Sequence, residues 1–430
     1  VNRALLLVFG LSMEAAYLAF YVPKSLAENV AHFIAANAAV TLLLWVLVAG
    51  APPPERPRRS ALPLILGFAL LFRLTLVPLP PVASDDLYRY LWDGRLWSHG
   101  INPYLLAPDH PSLTALWTAD LPWKINFPWM RTIYPPLAQV VFAASHGLFG
   151  PSAAGLKLLF MACDLASILL LVRLLRLLGL SEERVILYAW SPVPVMYFAL
   201  DGHVDALGIP LLLLFILFSL RQKHGAAAVA LGAAGAAKLL PLITAPFSGG
   251  TLPALRRIGL VLVPFLLLLV TVLPFLERTG GVTESLLVFG TTFYFNGPLF
   301  TLLREVGTGP EAARVVCGVV FLVGLVAALR SGRPLVEKVL LAFLAFAVCS
   351  PVVQPWYLSW LAALLVLRWS FGVFLMLGLS NLSNLTVLRY RTDGAWREEP
   401  LAVLFEFAVP LAIVAAELWG GRKRGDPARA

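Results

Sequence analysis

Long apolar runs, broken by short polar stretches, follow one another along almost the whole chain. Most are about 17–22 residues long, the length an α-helix needs to cross the hydrocarbon core of a bilayer. The first three are Ala4–Val22, Asn29–Ala49 and Ala61–Leu79. After a mixed segment, 80–133, a run opens at Tyr134-Pro135-Pro136 and ends at Gly150. Prolines suit a helix start, because the first turn has no backbone acceptor for its N–H groups. Further runs cover Gly155–Val172, Val185–Leu200, Ala206–Leu220, Ala226–Phe247 and Gly259–Phe275. A polar, aromatic loop, Glu277 to Gly309, separates these from Ala312–Leu329, Val336–Ser350, Trp356–Leu367, Ser370–Val387 and Leu401–Trp419. The expected fold is an all-α polytopic membrane protein with about 12–14 transmembrane helices, since only helices or closed barrels satisfy backbone polar groups in lipid. It is read as a single transmembrane domain, 1–430.

Composition reinforces the pattern. Of 430 residues, 59% are hydrophobic and only 13% charged, too few to give a soluble domain its polar shell. The net charge of +9 sits in short loops and the C-terminal tail, as the positive-inside bias requires, so it speaks for membrane lipids and against nucleic acid. Cys163, Cys317 and Cys349 all fall in apolar segments, where cysteine acts as a small packing residue rather than a disulfide partner or metal ligand. The first run has no small-residue cleavage site after it and reads as a retained span, and no long soluble domain is attached.

The basic linker 51–59, with Arg56, Arg58 and Arg59, belongs in the cytoplasm, which puts 80–133 outside. This outer segment holds Trp92, Trp97, Trp117, Trp123 and Trp129. Indoles favour the headgroup region, so short amphipathic helices lying on the membrane are expected there. The basic loops Arg173–Arg184 and Arg221–His224 fall inside only if 134–149 is not a complete crossing. In that case Ala226–Phe247 divides near Lys238-Leu-Leu-Pro241, Asp201, His203 and Asp205 lie outside, and Lys238 approaches the outer face.

The segment Ser84–Tyr104 concentrates charge in a chain that has little of it. If Asp86–Trp97 is helical, Asp86, Arg89, Asp93 and Trp97 share one face, and Leu87, Leu91 and Leu96 turn towards lipid or protein. Asp85 and Asp86 fit a solvated helix start, which the helix dipole favours. With Arg89, Asp93, Arg95 and His99 so near, one of them also fits a carboxylate base kept ionised by a neighbouring cation. Lys124, Asn126, Arg131 and Tyr134 form a second polar cluster, in which Arg131 fits either a phosphate clamp or an interfacial anchor. Asp201-Gly-His203-Val-Asp205 is spaced like a weak metal-ligand group and equally like a capped helix–helix turn. Lys238 lies in an apolar run, where a lysine costs about 2.5–3.5 kcal/mol at mid-bilayer unless it meets a cavity or a partner; contact with an anionic substrate and snorkelling both answer that. Gln354 and Tyr357 open a late span, as an aromatic belt or as substrate contacts.

Taken in order, these motifs resemble a known group. An Asp-rich outer loop leads to Gly-Ile-Asn-Pro-Tyr and then Arg-Thr-Ile-Tyr-Pro-Pro-Leu. Asp-Gly-His-Val-Asp-Ala, Lys-Leu-Leu-Pro-Leu and Gln-Pro-Trp-Tyr-Leu follow. The chain resembles the GT-C superfamily of membrane glycosyltransferases, and within it the bacterial polyprenol-phosphate-mannose-dependent mannosyltransferases, over about residues 60–370. The resemblance implies a lipid-linked sugar donor, a glycolipid or glycan acceptor, and a site on the outer face of the bacterial inner (cytoplasmic) membrane, towards the periplasm or exterior. That group sets its catalytic Asp four residues before an aromatic, as Asp86 stands to Tyr90; Asp85 is the alternative. Many relatives carry His where this chain has Gln354, which removes support for a second acid–base role there. No cofactor is implied, and a divalent metal is left open.

The chemistry of such a transfer suits these residues. Asp86 is the base in a single inverting displacement, Lys238 and Arg131 hold the phosphate, and Asp85, Arg89 and Asp93 orient the base or acceptor. Arg95, Lys124, Tyr134, Asp201, His203, Asp205, Gln354 and Tyr357 complete the candidate substrate-binding set. The competing reading is a transporter or flippase of a lipid-linked sugar, for which inverted repeats and mid-membrane charges are the signature; neither is evident here.

Overall fold

The computed structural model describes residues 3–22, 24–50, 61–250, 252–275 and 281–423. The basic linker 51–59 and the end of the basic tail lie outside the described residues. Among the described residues, seven helices are long and apolar enough to cross a bilayer. Five shorter apolar helices accompany them: Leu62–Leu76, Pro136–Phe149, Asp205–Leu220, His224–Ala237 and Pro355–Leu367. The all-helical polytopic class expected from the sequence is therefore what folds.

The chain forms two compact units. The first comprises 1–75, 168–196 and 294–430. Its interior is built on aromatic rings around the helix Leu62–Leu76: Trp190 meets Phe68 at 5.4 Å and Phe72 at 5.6 Å, both edge-on. The Trp190 indole N–H donates to the Ile65 carbonyl at 2.9 Å. Arg73 is fully buried and donates to the carbonyls of Ala69 and Ala189, each at 2.9 Å. In the same unit Gly297 packs directly on the Ser350 carbonyl, where an added Cβ would lie 2.4 Å from the oxygen. The Phe295 N–H donates to Pro351 O, and the Val353 N–H donates to Phe295 O. These contacts hold the turn that leads into Gln354.

One expected span is corrected here. Val185–Leu200 is not a single helix but a series of short pieces: Glu182–Val185, Ile186–Ala189, Pro192–Pro194 and a wide-turned Val195–Leu200. Pro192 and Pro194 remove two backbone donors and clash with the preceding turn. Residues 185–210 are buried throughout, the setting in which irregular backbone is tolerated in a membrane protein.

The second unit comprises 76–167 and 197–293. It carries the largely buried helix Asp86–Ser98, then the helices Pro136–Phe149 and Asp205–Leu220. The expected division of Ala226–Phe247 is present: the helix His224–Ala237 stops at Lys238, whose backbone is extended, and a tighter helix Leu240–Phe247 follows with Pro241 in its first turn. Only part of the segment 80–133 is helical, Asp86–Ser98 and the short turn Pro111–Leu116. The polar loop after 275 contains two helices the apolar pattern did not announce, Gly281–Thr292 and Pro298–Glu305.

Candidate active site

The helix that begins at Asp86 buries Leu87, Leu91 and Leu96, as its spacing predicts, and also buries Arg89, Tyr90, Trp92 and Asp93. It lies against the helix Pro136–Phe149 so closely that a Cβ on Gly94 would sit 2.4 Å from the Phe142 carbonyl oxygen. Tyr90, one turn after Asp86, stacks on Phe142 at 4.7 Å and meets the Tyr134 ring edge-on at 4.8 Å. Tyr134 hydrogen-bonds Asp86 as well as Tyr90, and Tyr104 fixes it from behind by donating to the Tyr134 carbonyl at 2.6 Å.

The remainder of the helix face is used internally. Asp93 is 1% exposed and accepts from Thr132 Oγ1 at 2.6 Å and Gln139 Nε2 at 2.8 Å. Arg89 faces Asp93, Nε to Oδ1 3.5 Å, and donates to the Met130 carbonyl. These buried ties fasten the helix to residues 130–139; they do not line an open surface. Burial pushes the Asp93 carboxyl up, and Arg89 and the two hydrogen bonds oppose that.

Asp86 is different. Its side chain keeps 27% of its exposure, and its Oδ2 lies 3.7 Å from Nδ1 of the fully buried His203. Burial raises its pKa from the ordinary 3.8 to about 6; Lys238 works against that rise, and Asp85 and Asp205 add to it. The group is thus a carboxylate at neutral pH, yet a stronger base than an ordinary one. His203 is held well below its usual pKa by burial and by Lys238, which keeps the imidazole neutral. Lys238 Nζ meets Asp205 Oδ2 at 2.5 Å and remains 17% exposed. It stands at the C-terminus of its helix, the end whose dipole favours a cation.

Asp201-Gly-His-Val-Asp proves to be a tertiary clasp. Asp201 Oδ1 accepts from the N–H groups of Val82 at 2.7 Å and Ala83 at 3.2 Å, just ahead of Asp85. Burial raises the Asp201 pKa to about 7 against those two hydrogen bonds. Gly202 has φ +73°, a conformation that suits glycine. A Cβ there would lie 2.9 Å from both Leu87 Cδ1 and Lys157 Cγ. The fully buried Lys157, absent from the expected set, donates to the carbonyls of Leu79 at 2.5 Å and Leu200 at 2.9 Å. Its signal was the one used for Lys238, a lysine within an apolar run.

The fold therefore assembles Asp85, Asp86, Tyr134, Asp201, His203, Asp205 and Lys238. Other expected residues have partners of their own. Lys124 is half-exposed on Asp120 at 2.8 Å and sits over the Tyr88 ring. The Arg95 carbonyl receives Ser98 Oγ at 2.8 Å in the helix's last turn. Arg131 pairs with Glu284 at 2.8 Å beside a separate cavity. Gln354 and Tyr357 belong to the first unit, at the start of the helix Pro355–Leu367. Among the described residues no three His, Cys, Asp or Glu side chains gather as ligands for one metal ion.

Helix content and apolar spans define a class, an all-helical polytopic membrane protein. The comparisons are more particular. The family model described as alpha-(1->6)-mannopyranosyltransferase, N-terminal domain (the MptA_B family), matches residues 11–254, and the MptB C-terminal domain matches residues 294–419. The chain belongs to the alpha-(1->6)-mannopyranosyltransferase family and is a membrane glycosyltransferase. No curated protein matches it. The crystal structure of ArnT from Cupriavidus metallidurans bound to undecaprenyl phosphate is similar over 86% of this chain and 74% of that one, at 16% identity and a TM-score of 0.44.

Proposed function

We propose that this chain moves a mannosyl group from a polyprenyl-phosphate donor to a membrane-associated glycolipid or glycan acceptor, with inversion, on the outer face of the bacterial inner membrane. The observation that carries the reading is Asp86, a partly exposed carboxylate 3.7 Å from the buried His203, with a pKa raised to about 6, beside Lys238 and Tyr134. In the proposed step an acceptor hydroxyl attacks the anomeric carbon, the bond from that carbon to the phosphate oxygen breaks, and the hydroxyl proton passes to Asp86. The leaving group departs as polyprenyl phosphate, and Lys238 exchanges part of its hold on Asp205 for that anion. A single displacement that ends in an α-linkage requires a β-linked donor. Tyr134 orients the Asp86 carboxylate, and Asp85 and Asp205 raise its basicity. The step uses no metal ion, and turnover in excess EDTA is its check.

Purified protein in detergent, given radiolabelled polyprenyl-phosphate mannose and a mannolipid acceptor, is expected to form a longer glycolipid, with the Asp86→Asn variant inactive. Translocation of the labelled lipid across vesicles with no transfer would overturn the reading in favour of a flippase. Attack from the lipid-linked donor's own side of the membrane is tested by adding the donor to sealed vesicles of known orientation.

A further inference from the structure

A second cavity, of about 220 Å³, lies within the same unit, away from the Asp86 carboxylate. Trp129, Met130 and Arg131 form one wall, His110 another, and Glu284 and Ser285 of the helix Gly281–Thr292 a third. We propose that this cavity is a subsite for a neutral oligosaccharide, holding an inner sugar of the glycan acceptor while the acceptor's terminal hydroxyl reaches Asp86. The proposal rests on the transferase reading above and extends it to the acceptor.

Four features point to a sugar. Trp129 lines the cavity and is 55% exposed; the C–H face of a pyranose packs on an indole ring as other apolar surfaces do. Arg131 and Glu284 place a guanidinium and a carboxylate side by side at 2.8 Å, with side chains 30% and 64% exposed. A pair so exposed contributes little to stability, but it presents donor and acceptor together, the arrangement that neighbouring hydroxyls match. His110 Nδ1 accepts from the Ser112 N–H at 3.3 Å, which leaves its other nitrogen as an N–H donor. With one cation and one anion, the cavity has no net call for a charged ligand.

The cavity is also joined to the reaction centre by a short, fixed piece of chain. Met130 O receives Arg89 of the helix Asp86–Ser98, Thr132 donates to Asp93, and Tyr134 hydrogen-bonds Asp86. From Trp129 to Tyr134 is five peptide steps, a reach of at most about 18 Å, which a few linked sugars cover.

The test uses the full chain in lipid nanodiscs and needs no donor. Linear α-1,6-mannotriose and mannose are titrated by saturation-transfer NMR. Mannotriose is expected to bind more tightly than mannose, with an affinity unchanged by added salt. Trp129→Ala is expected to weaken mannotriose about tenfold, Trp129→Phe to restore most of it, and Arg131→Met or Glu284→Gln to weaken it severalfold. Trp123→Ala, an exposed indole of the same loop outside the cavity, is the control and should bind as wild type. Mannotriose binding indifferent to both Trp129 and Arg131 overturns the subsite. So does binding that anionic phospholipid in the disc abolishes through Arg131, since that marks a headgroup site. Mannotriose bound at the cavity by a protein that transfers no sugar would leave the subsite standing and sink the transferase reading instead.

Discussion

The base assigned to Asp86 predicts a particular pH dependence. With a pKa of about 6, the carboxylate is about 9% ionised at pH 5 and about 91% at pH 7. A general base works only when deprotonated, so kcat/KM, which reports groups of the free enzyme, should rise about tenfold between those values and then level. A carboxylate at the ordinary 3.8 would already be ionised at pH 5 and would give an almost flat profile. The neighbours sharpen the test because they act with opposite sign. Asp85 raises the Asp86 pKa, so Asp85→Asn should move the acid limb to lower pH; Lys238 lowers it, so Lys238→Met should move the limb to higher pH. Asp86→Asn, nearly isosteric, should lower kcat by about two to four orders of magnitude and flatten the profile, the size of a lost general base. The assay is initial-rate transfer of labelled mannose at subsaturating donor from pH 4.5 to 8.5. An acid limb that survives in Asp86→Asn, or one that both neighbour variants move in the same direction, would refute the assignment.

Three further outcomes follow from the geometry. Lys238→Met should raise the donor KM about tenfold or more, the scale of a lost hydrogen bond to a charged group; unchanged donor kinetics would remove Lys238 from the phosphate site. Asp201→Ala leaves the Val82 and Ala83 N–H groups unsatisfied and should cost about 2–6 kcal/mol, whereas Asp201→Asn keeps an acceptor. Because folding raises the Asp201 pKa, the wild type loses stability as pH rises from about 4 to about 7; the Asn variant should match or exceed it above that range in thermal unfolding in detergent, and a less stable Asn variant at pH 8 would contradict this. Gly94→Ala forces a Cβ onto the Phe142 carbonyl, which cannot step aside as a side chain could; a loss of about 1–3 kcal/mol, with reduced transfer because the same helix carries Asp86, is expected by the same unfolding measurement and the transfer assay.

Much of the architecture was legible in order along the chain. The runs Ala4–Val22 and Asn29–Ala49 became helices at Arg3–Tyr21 and Leu26–Gly50, because in lipid every apolar run of that length must satisfy its own backbone. The helix from Asp86 was readable from its spacing, and the break at Lys238 followed from the sidedness required by the basic loops. Val185–Leu200 was misjudged because hydropathy averages over the two prolines that interrupt it. The motifs also sufficed to place the chain among membrane mannosyltransferases, the family its match shows.

Tertiary structure decided what each polar residue is for. Asp86, Asp93, Asp201 and Asp205 are alike in sequence, four carboxylates in two polar islands. Packing gives Asp93 to Thr132 and Gln139, Asp201 to the Val82 and Ala83 backbone, and Asp205 to Lys238, and leaves Asp86 part open beside His203. Arg131 fits a phosphate clamp or an interfacial anchor in sequence, and only the fold shows that Glu284, 153 residues on, pairs with it. A carboxylate's ionisation and reach depend on burial and on which donors meet it, and those donors come from elements far apart in the chain, so local sequence carries the residue but not its partners.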